Sequence, residues 1–216
     1  GRLMMQFYNK EDVGILSSNM EAQFGLEPIY QKLLYVCLEV TNTFKLNRAD
    51  FQSMISGEDV SVAGKHKTAK TVRWKTPGLF FGNELGPWQD SAGSITRRLL
   101  VFELNNRVTE VDTEMDAKLK NELPQLLFKF IQAYQATVSR CGSKGIWQIV
   151  PQYLIKVKER IAIDTNPIKS FIYSGKLCLD ISRDDYMIEW HVFQAHLNDW
   201  VKHRGIKSNF SKEQIR

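Results

Sequence analysis

The stretch LLYVCL at residues 33–38 is a continuous apolar run, and Glu39 follows it directly. An apolar run of this length between polar residues is typical of a strand that is buried on both faces. A shorter run, LFF at residues 79–81, leads into Gly82 and Asn83, and VGIL at residues 13–16 has the same character. These runs predict a mixed α/β first half built around short buried strands.

A basic β-hairpin is predicted between the two longer runs. Val60 and Val62 alternate with polar residues, as do Val72 and Trp74, and the polar, glycine-containing residues 64–68 lie between them. Residues 63–76 carry five Lys or Arg, one His and no acidic residue, while the whole chain has a net charge of +5. The rest of the chain is therefore close to neutral. Charge focused on one short segment predicts contact with a polyanion there.

The second half of the sequence has the periodicity of helices. A short helix at residues 95–98 and a strand at residues 99–104 are expected first, and the boundary to an all-helical region falls near residues 105–115. Apolar residues then recur every three or four positions. Helices are predicted over residues 112–140, 149–161, 168–173 and 186–203, the third of them after the Asn166-Pro167 pair.

Composition excludes several classes of protein. Apolar residues make up 43% of the chain, so disorder is not expected, yet no run of 18 apolar residues and no signal peptide exists. We therefore expect no membrane partner. The three cysteines form no CxxC pair, which fits a reducing, intracellular compartment. His191, His196 and His203, at spacings of five and seven, match no metal-ligand pattern.

The two ends of the sequence predict a fragment of a longer protein. Residues 2–8 read as a helix already under way, with no capping residue before it. Residues 208–216 read as a helix that is just beginning, with Ser211 as its cap.

Polar residues stand in a definite order at the strand ends. The carboxylate of Glu39, the amide of Asn83 and the pair Arg97-Arg98 follow one another along the chain. Hydrolysis of a nucleoside triphosphate explains each of them. A carboxylate at a strand end can hold Mg²⁺ or orient water, an amide can hold the γ-phosphate or that water, and an arginine can offset charge in the transition state.

Four stretches together resemble superfamily 3 helicases: residues 51–62, 65–67, 74–84 and 97–102. Within that group they are most similar to the primase-helicases of large DNA viruses, the poxvirus, iridovirus and giant-virus group. The resemblance covers roughly residues 1–135 well and the rest loosely. It implies a partial AAA+ P-loop NTPase core, an α/β fold with a parallel sheet, helices and a β-hairpin insertion, followed by a helical, winged-helix-like C-terminal region.

The resemblance also implies activity, cofactors and partners. The parent protein would be an ATP-dependent replicative DNA helicase that uses ATP and Mg²⁺. It would act as a homohexameric ring on single-stranded or replication-fork DNA, at a viral replication site in the host cytoplasm or nucleus. A primase domain in the same chain is left open.

Residues that match the family's motifs form two groups. The group implied in hydrolysis consists of Glu39 at the Walker B position, where it would meet Mg²⁺ with ATP, Asn83 as the motif C sensor, and Arg98 as the arginine finger, with Arg97 as the second choice. The group implied in DNA binding matches the B-prime hairpin and consists of Lys65, His66 and Lys67.

Two departures from the family pattern affect these expectations. Leu38 occupies the place where the family commonly has a first acid, before Glu39. No GxxxxGK[ST] phosphate-binding loop occurs, so the fragment by itself is expected neither to bind ATP well nor to hydrolyse it. The expected domains are the core at residues 1–110, a helical lid or linker at 111–145 and the truncated C-terminal domain at 146–216.

Three other readings stay open. One is a plasmid or phage replication protein with a related motor. The second is a non-catalytic DNA-binding protein derived from a degenerate AAA+ ATPase. The third is an assembly module in which Arg97 and Arg98 form salt bridges at an interface, without DNA affinity.

Overall fold

A computed structural model of this chain describes residues 1–17, 19, 25–41, 43–83, 85–86, 88, 90, 93–174 and 188–204. The chain divides into two compact units. The first consists of Gly1–Trp88 and Arg98–Ile155, and the second of Gln89–Arg97 and Lys156–Arg216.

The first unit contains a parallel sheet and an antiparallel hairpin. In chain order the strands are β1 (Val13–Ile15), β2 (Leu34–Val40), β3 (Asp59–Val62), β4 (Lys70–Arg73) and β5 (Gly78–Gly82). The sheet has the order β1-β2-β5, with both strand pairs parallel, and β3 pairs with β4 in antiparallel fashion. The predictions of a mixed α/β fold, of three short strands and of a β-hairpin are confirmed.

The central strand β2 is buried for only part of the predicted length. Residues 34–37 are at most 4% exposed, but Leu33 is 59% and Leu38 is 45% exposed. The pairing of β2 with β5 shifts register between Cys37 and Val40. Such an irregularity interrupts the alternation of side chains, so that Leu38 and Glu39 are both exposed. The expectation of burial along the whole run was therefore wrong at its two ends.

Four helices accompany these strands: α1 (Arg2–Met5), α2 (Arg48–Ser56), α3 (Met115–Asn121) and α4 (Leu123–Cys141). Helix α1 ends at Met5, whereas the first helix was expected to continue through residue 8 and end at residues 11–12. Helix α2 begins where Asn47 accepts a hydrogen bond from the backbone N–H of Asp50 at 2.8 Å, and it ends at Gly57, whose φ of 67° favours glycine.

An aromatic cluster packs α2 against β5. The ring of Phe51 stacks on Trp88 at 3.9 Å between centroids and meets Phe80 edge-on at 5.4 Å. The indole N–H of Trp88 donates to the carbonyl of Leu46 at 3.0 Å. This hydrogen bond satisfies the polar end of a large ring, which fixes the position of the loop that follows β5.

The strand expected over residues 99–104 is absent, and that prediction was wrong. These residues belong to no strand, and Leu100, Phe102 and Leu104 are 42%, 63% and 92% exposed. A strand requires a hydrogen-bonding neighbour, and none pairs with this segment in the part of the chain that is described. A short apolar run favours a strand but does not supply its partner.

The helix predicted over residues 112–140 is confirmed as two consecutive helices, α3 and α4, which meet at Glu122. Pro124 lies in the first turn of α4, where proline needs no backbone partner. None of the α4 residues is buried, and Leu127, Phe130 and Tyr134 are 46%, 41% and 70% exposed. The apolar spacing thus predicted the helix correctly, while most of its apolar face is exposed.

The remaining helices are α5 (Gln152–Asp164), α6 (Pro167–Ile172) and α7 (Trp190–His203). The boundary between the units falls between Ile155 and Lys156 in α5. All three helices were predicted, with ends that differ by a few residues. The side chain of Asn166 accepts hydrogen bonds from the N–H groups of the first turn of α6, as expected of a cap.

The core of the second unit consists of apolar residues from α6 and α7. Its buried members are Phe171, Phe193, Leu197, Trp200 and Val201. The histidines of α7 are exposed, on the side of the helix away from its buried residues.

Three predictions fall on residues outside the described ranges. They are the short helix at residues 20–24, the helix start at residues 208–216, and residues 205–210 of the winged-helix-like segment.

Candidate functional site

Two of the predicted site residues lie at the same edge of the parallel sheet. Val40 at the end of β2 is in register with Gly82 at the end of β5. Glu39 precedes Val40, Asn83 follows Gly82, and both side chains are exposed. With strands about 4.8 Å apart and a rise of about 3.3 Å per residue, their Cα atoms are about 8 Å from each other. A carboxylate and an amide are thus presented together at the carboxyl ends of adjacent strands.

The residue before Glu39 adds no second negative charge at this end of the sheet. Leu38 is 45% exposed in the place where the resembling family commonly has an acid. The neighbouring Cys37 is fully buried, and its thiol donates a weak hydrogen bond to the carbonyl of Glu39, with 3.6 Å between sulfur and oxygen. Cys37 is therefore a packing residue of the first unit.

The hairpin presents its basic tip to solvent. Val60 pairs with Val72 and Asp59 with Arg73, which places residues 63–69 in the connection. Lys65, His66 and Lys67 are exposed, and the φ of 60° at His66 shows a left-handed turn. The three residues expected to contact DNA are therefore at the tip of one hairpin.

One residue of the tip has an acidic partner that sequence reasoning missed. The ammonium group of Lys67 lies 3.2 Å from Oε1 of Glu27, a residue from the segment before β2. Forty positions separate the two residues in the sequence. No local pattern could have indicated this pair, because only the tertiary fold brings the segment to the hairpin.

Arg97 and Arg98 lie in a short 3-10 helix, Thr96–Arg98, where a helical turn was predicted. Arg97 is exposed and belongs to the second unit, while Arg98 belongs to the first. The guanidinium of Arg98 is 24% exposed and lies 3.9 Å from the carboxylate of Glu58, just before β3. The choice of Arg98 over Arg97 depended on the strand expected after it, and that strand does not exist.

The turn that carries both arginines is organised by Asp90, which the sequence analysis did not select. Its carboxylate is 2% exposed. Oδ2 accepts hydrogen bonds from the N–H groups of Ile95 and Thr96 at 3.0 and 2.7 Å and from the Thr96 hydroxyl at 2.6 Å. Oδ1 accepts one from the Ser94 hydroxyl at 3.0 Å. An Asp followed by Ser and Thr within six residues is a local signal for such a turn.

Two opposing effects act on the Asp90 carboxyl. Burial raises its pKa, but the hydrogen bonds from Thr96, Ser94 and Ile95 favour the charged form and outweigh burial. The pKa of Asp90 is therefore lowered below its ordinary value. The backbone N–H of Asp90 also donates to the carbonyl of Thr165 at 3.0 Å, which joins the turn to the end of α5.

The described residues contain neither a cluster of metal-ion ligands nor a membrane-spanning helix. Among the described residues, no group of three or more His, Cys, Asp or Glu is arranged to hold a metal ion. A Mg²⁺ ion that is bound mainly through nucleotide phosphates needs only one or two carboxylates, and Glu39 meets that requirement. No helix in the described part of the chain is both long and apolar enough to cross a membrane.

Comparison with known proteins adds one match. Residues 1–98 match the model of a family of unknown function (DUF5906). This range contains every residue predicted above to act in hydrolysis or DNA binding. No curated protein matches the chain.

Proposed function

We propose that this chain is part of an ATP-dependent DNA helicase of the superfamily 3 type, which couples ATP hydrolysis between subunits of a ring to movement on DNA. The observation that carries the proposal is the register of β2 with β5. It brings the Cα atoms of Glu39 and Asn83 to about 8 Å from each other at the carboxyl ends of adjacent strands, which suits a site for a nucleotide's terminal phosphate.

The residues at that edge fit part of a Mg²⁺–ATP site. The exposed carboxylate of Glu39 would hold Mg²⁺ or orient the attacking water, and the amide of Asn83 would donate to the γ-phosphate or hold that water. The phosphates also require a cradle of backbone N–H groups, and no GxxxxGK[ST] sequence supplies one in these 216 residues. The parent protein would provide that loop.

The hairpin supports the DNA-binding half of the proposal. Its exposed tip lies in the chain between the two strands that carry Glu39 and Asn83. Lysines on a protruding hairpin contact phosphates without regard to base sequence, as translocation along a strand requires. Arg97 and Arg98 remain the candidates for the arginine that would act on a neighbouring subunit's nucleotide.

A second candidate is DNA binding without hydrolysis, and Leu38 favours it. An exposed leucine before Glu39 leaves a single carboxylate for both the metal ion and the water. In that case the hairpin retains its function while the sheet edge has none. The two candidates differ in whether a phosphate-binding loop lies upstream and in whether ATP is hydrolysed.

The first experiment combines sequencing with turnover. The coding sequence upstream of Gly1 is read for a GxxxxGK[ST] motif, and the natural protein that includes it is assayed for ATPase activity. Glu39→Gln is expected to lower turnover at least about a hundredfold while ATP stays bound, because the group that orients water is neutralised. Glu159→Gln, at an exposed position of α5, is the control with the same change of charge. Unchanged turnover in Glu39→Gln would remove Glu39 from the site.

The second experiment tests the hairpin in the 216-residue chain. Lys65→Ala with Lys67→Ala is expected to weaken binding of single-stranded DNA in an anisotropy titration. It should also flatten the plot of log affinity against log salt by about 0.7 for each phosphate contact that is lost. The control pair, Lys129→Ala with Lys144→Ala, removes the same charge from exposed positions outside the hairpin. Equal salt slopes for the two double variants would exclude the hairpin from the DNA path.

A further inference from the structure

A small crevice lies beside the hairpin tip. Its lining is mostly suited to an anion, with two lysines, a threonine and a glycine, but it also includes one carboxylate. The lining residues are Glu27, Tyr30, Val62, Gly64, Lys67, Thr68 and Lys70.

The carboxylate of Glu27 lies in this crevice beside Lys67, where an external anion would otherwise bind. Its Oε1 lies 3.2 Å from the ammonium group of Lys67. It also lies against the backbone of Gly64, where an added Cβ atom would stand 2.5 Å from Oε1. Glycine at this position therefore allows an anionic group to reach the base of the tip.

The two partners differ in how firmly they are held. Glu27 lies between Leu26 and Ile29, which are 7% and 0% exposed, and the N–H groups of Ile29 and Tyr30 donate to the carbonyl of Leu26. Its side chain is 33% exposed, whereas that of Lys67 is 67% exposed. The carboxylate thus belongs to a turn that is held by two buried apolar residues, and the lysine reaches it from an exposed tip.

We propose that Glu27 is an internal competitor for the phosphodiester backbone of single-stranded nucleic acid at this hairpin. The inference rests on the proposed DNA-binding function. With Glu27 in contact, Lys67 is neutralised, and a backbone phosphate must displace the carboxylate before it can bind. Affinity for the strand is lowered by this competition, which lets the hairpin release one phosphate and take the next.

Neutralising the carboxylate should strengthen binding. In Glu27→Gln, we expect affinity for oligodeoxythymidylate to rise about two- to fivefold at low salt, the range that an exposed ion pair supplies. The salt slope should steepen by about 0.7, because Lys67 then contacts one further phosphate. Glu110→Gln makes the same change of charge at an exposed position in the segment before α3 and should leave the slope unchanged.

A double-mutant cycle separates the contact from the overall charge. If Glu27 acts through Lys67, the gain from Glu27→Gln is lost when Lys67→Ala is already present. The cycle is measured by anisotropy on the 216-residue chain, and circular dichroism confirms that all four proteins are folded.

The outcomes distinguish this proposal from the proposed function. A gain that depends on Lys67 supports the competitor. Binding that is sensitive to Lys65 and Lys67 but unchanged in Glu27→Gln overturns the competitor and leaves the hairpin's DNA contact standing. A gain that persists without Lys67 also overturns it, since the effect is then one of net charge. Absence of binding in every protein overturns both.

Discussion

Replacement of Asp90 by alanine removes the acceptor of four hydrogen bonds in the turn that carries the arginine pair. The two hydroxyl groups can rotate toward other acceptors, but the N–H groups of Ile95 and Thr96 are buried and fixed by the backbone. Each buried donor left without an acceptor costs about 1–3 kcal/mol. We therefore expect Asp90→Ala to lower the free energy of unfolding by about 2–6 kcal/mol.

Asparagine at the same position is the informative comparison. Three of the four bonds go to Oδ2, so an amide whose oxygen takes that place keeps these three acceptor contacts and alters only the one with Ser94. The expected cost of Asp90→Asn at pH 7 is about 1–2 kcal/mol, because bonds to a charged acceptor become bonds to a neutral one. Ser94→Ala should cost about 1 kcal/mol.

Acidification should reduce the difference between the wild type and Asp90→Asn. Because hydrogen bonding lowers the folded pKa of Asp90 below its ordinary value of 3.8, the carboxylate stabilises the fold fully above that value. This contribution is lost as the pH falls through the lower folded pKa. The difference should be constant from pH 7 to about pH 5 and shrink below about pH 4.

The assay is urea denaturation followed by far-UV circular dichroism, together with amide hydrogen exchange at Ile95 and Thr96. Exchange gives a local reading, since the two amides should lose protection in Asp90→Ala and retain it in Asp90→Asn. If Asp90→Ala unfolds at the same urea concentration as the wild type with both amides still protected, the carboxylate does not organise this turn.

Two further predictions concern the sheet and the arginines. Gly78→Ala should destabilise the first unit by about 1–3 kcal/mol, because an added Cβ overlaps the ring of Tyr35, which is 2% exposed. Gly145→Ala is the matched control, because no atom lies within 4 Å of its added Cβ. Equal denaturation midpoints for the two variants would contradict the packing argument. In the natural protein, one of the two variants Arg97→Ala and Arg98→Ala should abolish ATPase activity and leave nucleotide binding intact. The variant that keeps its turnover identifies the arginine that is not the finger, and normal turnover in both would exclude the pair from that role.

Local sequence signals predicted many of the helices and strands correctly. Asn47 and Asn166 cap helices α2 and α6 by accepting backbone hydrogen bonds, and such caps are local signals because capping depends only on residues two or three positions away. The hairpin was likewise predictable, since the alternation and the turn lie within one short segment. The common edge of Glu39 and Asn83 could be expected as soon as both strands were placed in a parallel sheet.

Predictions that needed a distant partner were the ones that failed or were missed. Residues 99–104 have the apolar run of a strand, but no described strand pairs with them. The apolar spacing of α4 does not reveal that Leu127 and Tyr134 are exposed. The turn at Asp90 has a local signal in Ser94 and Thr96, whereas no local pattern indicates the contact of Glu27 with Lys67.

The sequence by itself determined where helices, strands and caps begin, and where positive charge is concentrated, because these depend on neighbours within a few residues. Only the tertiary structure decided which strands pair, that Leu38 and Glu39 of β2 are exposed, and that Glu27 meets Lys67 forty positions away. Burial and ion pairing depend on which distant segments fold against each other. That choice is made by the packing of the whole unit and not by any single stretch of the chain.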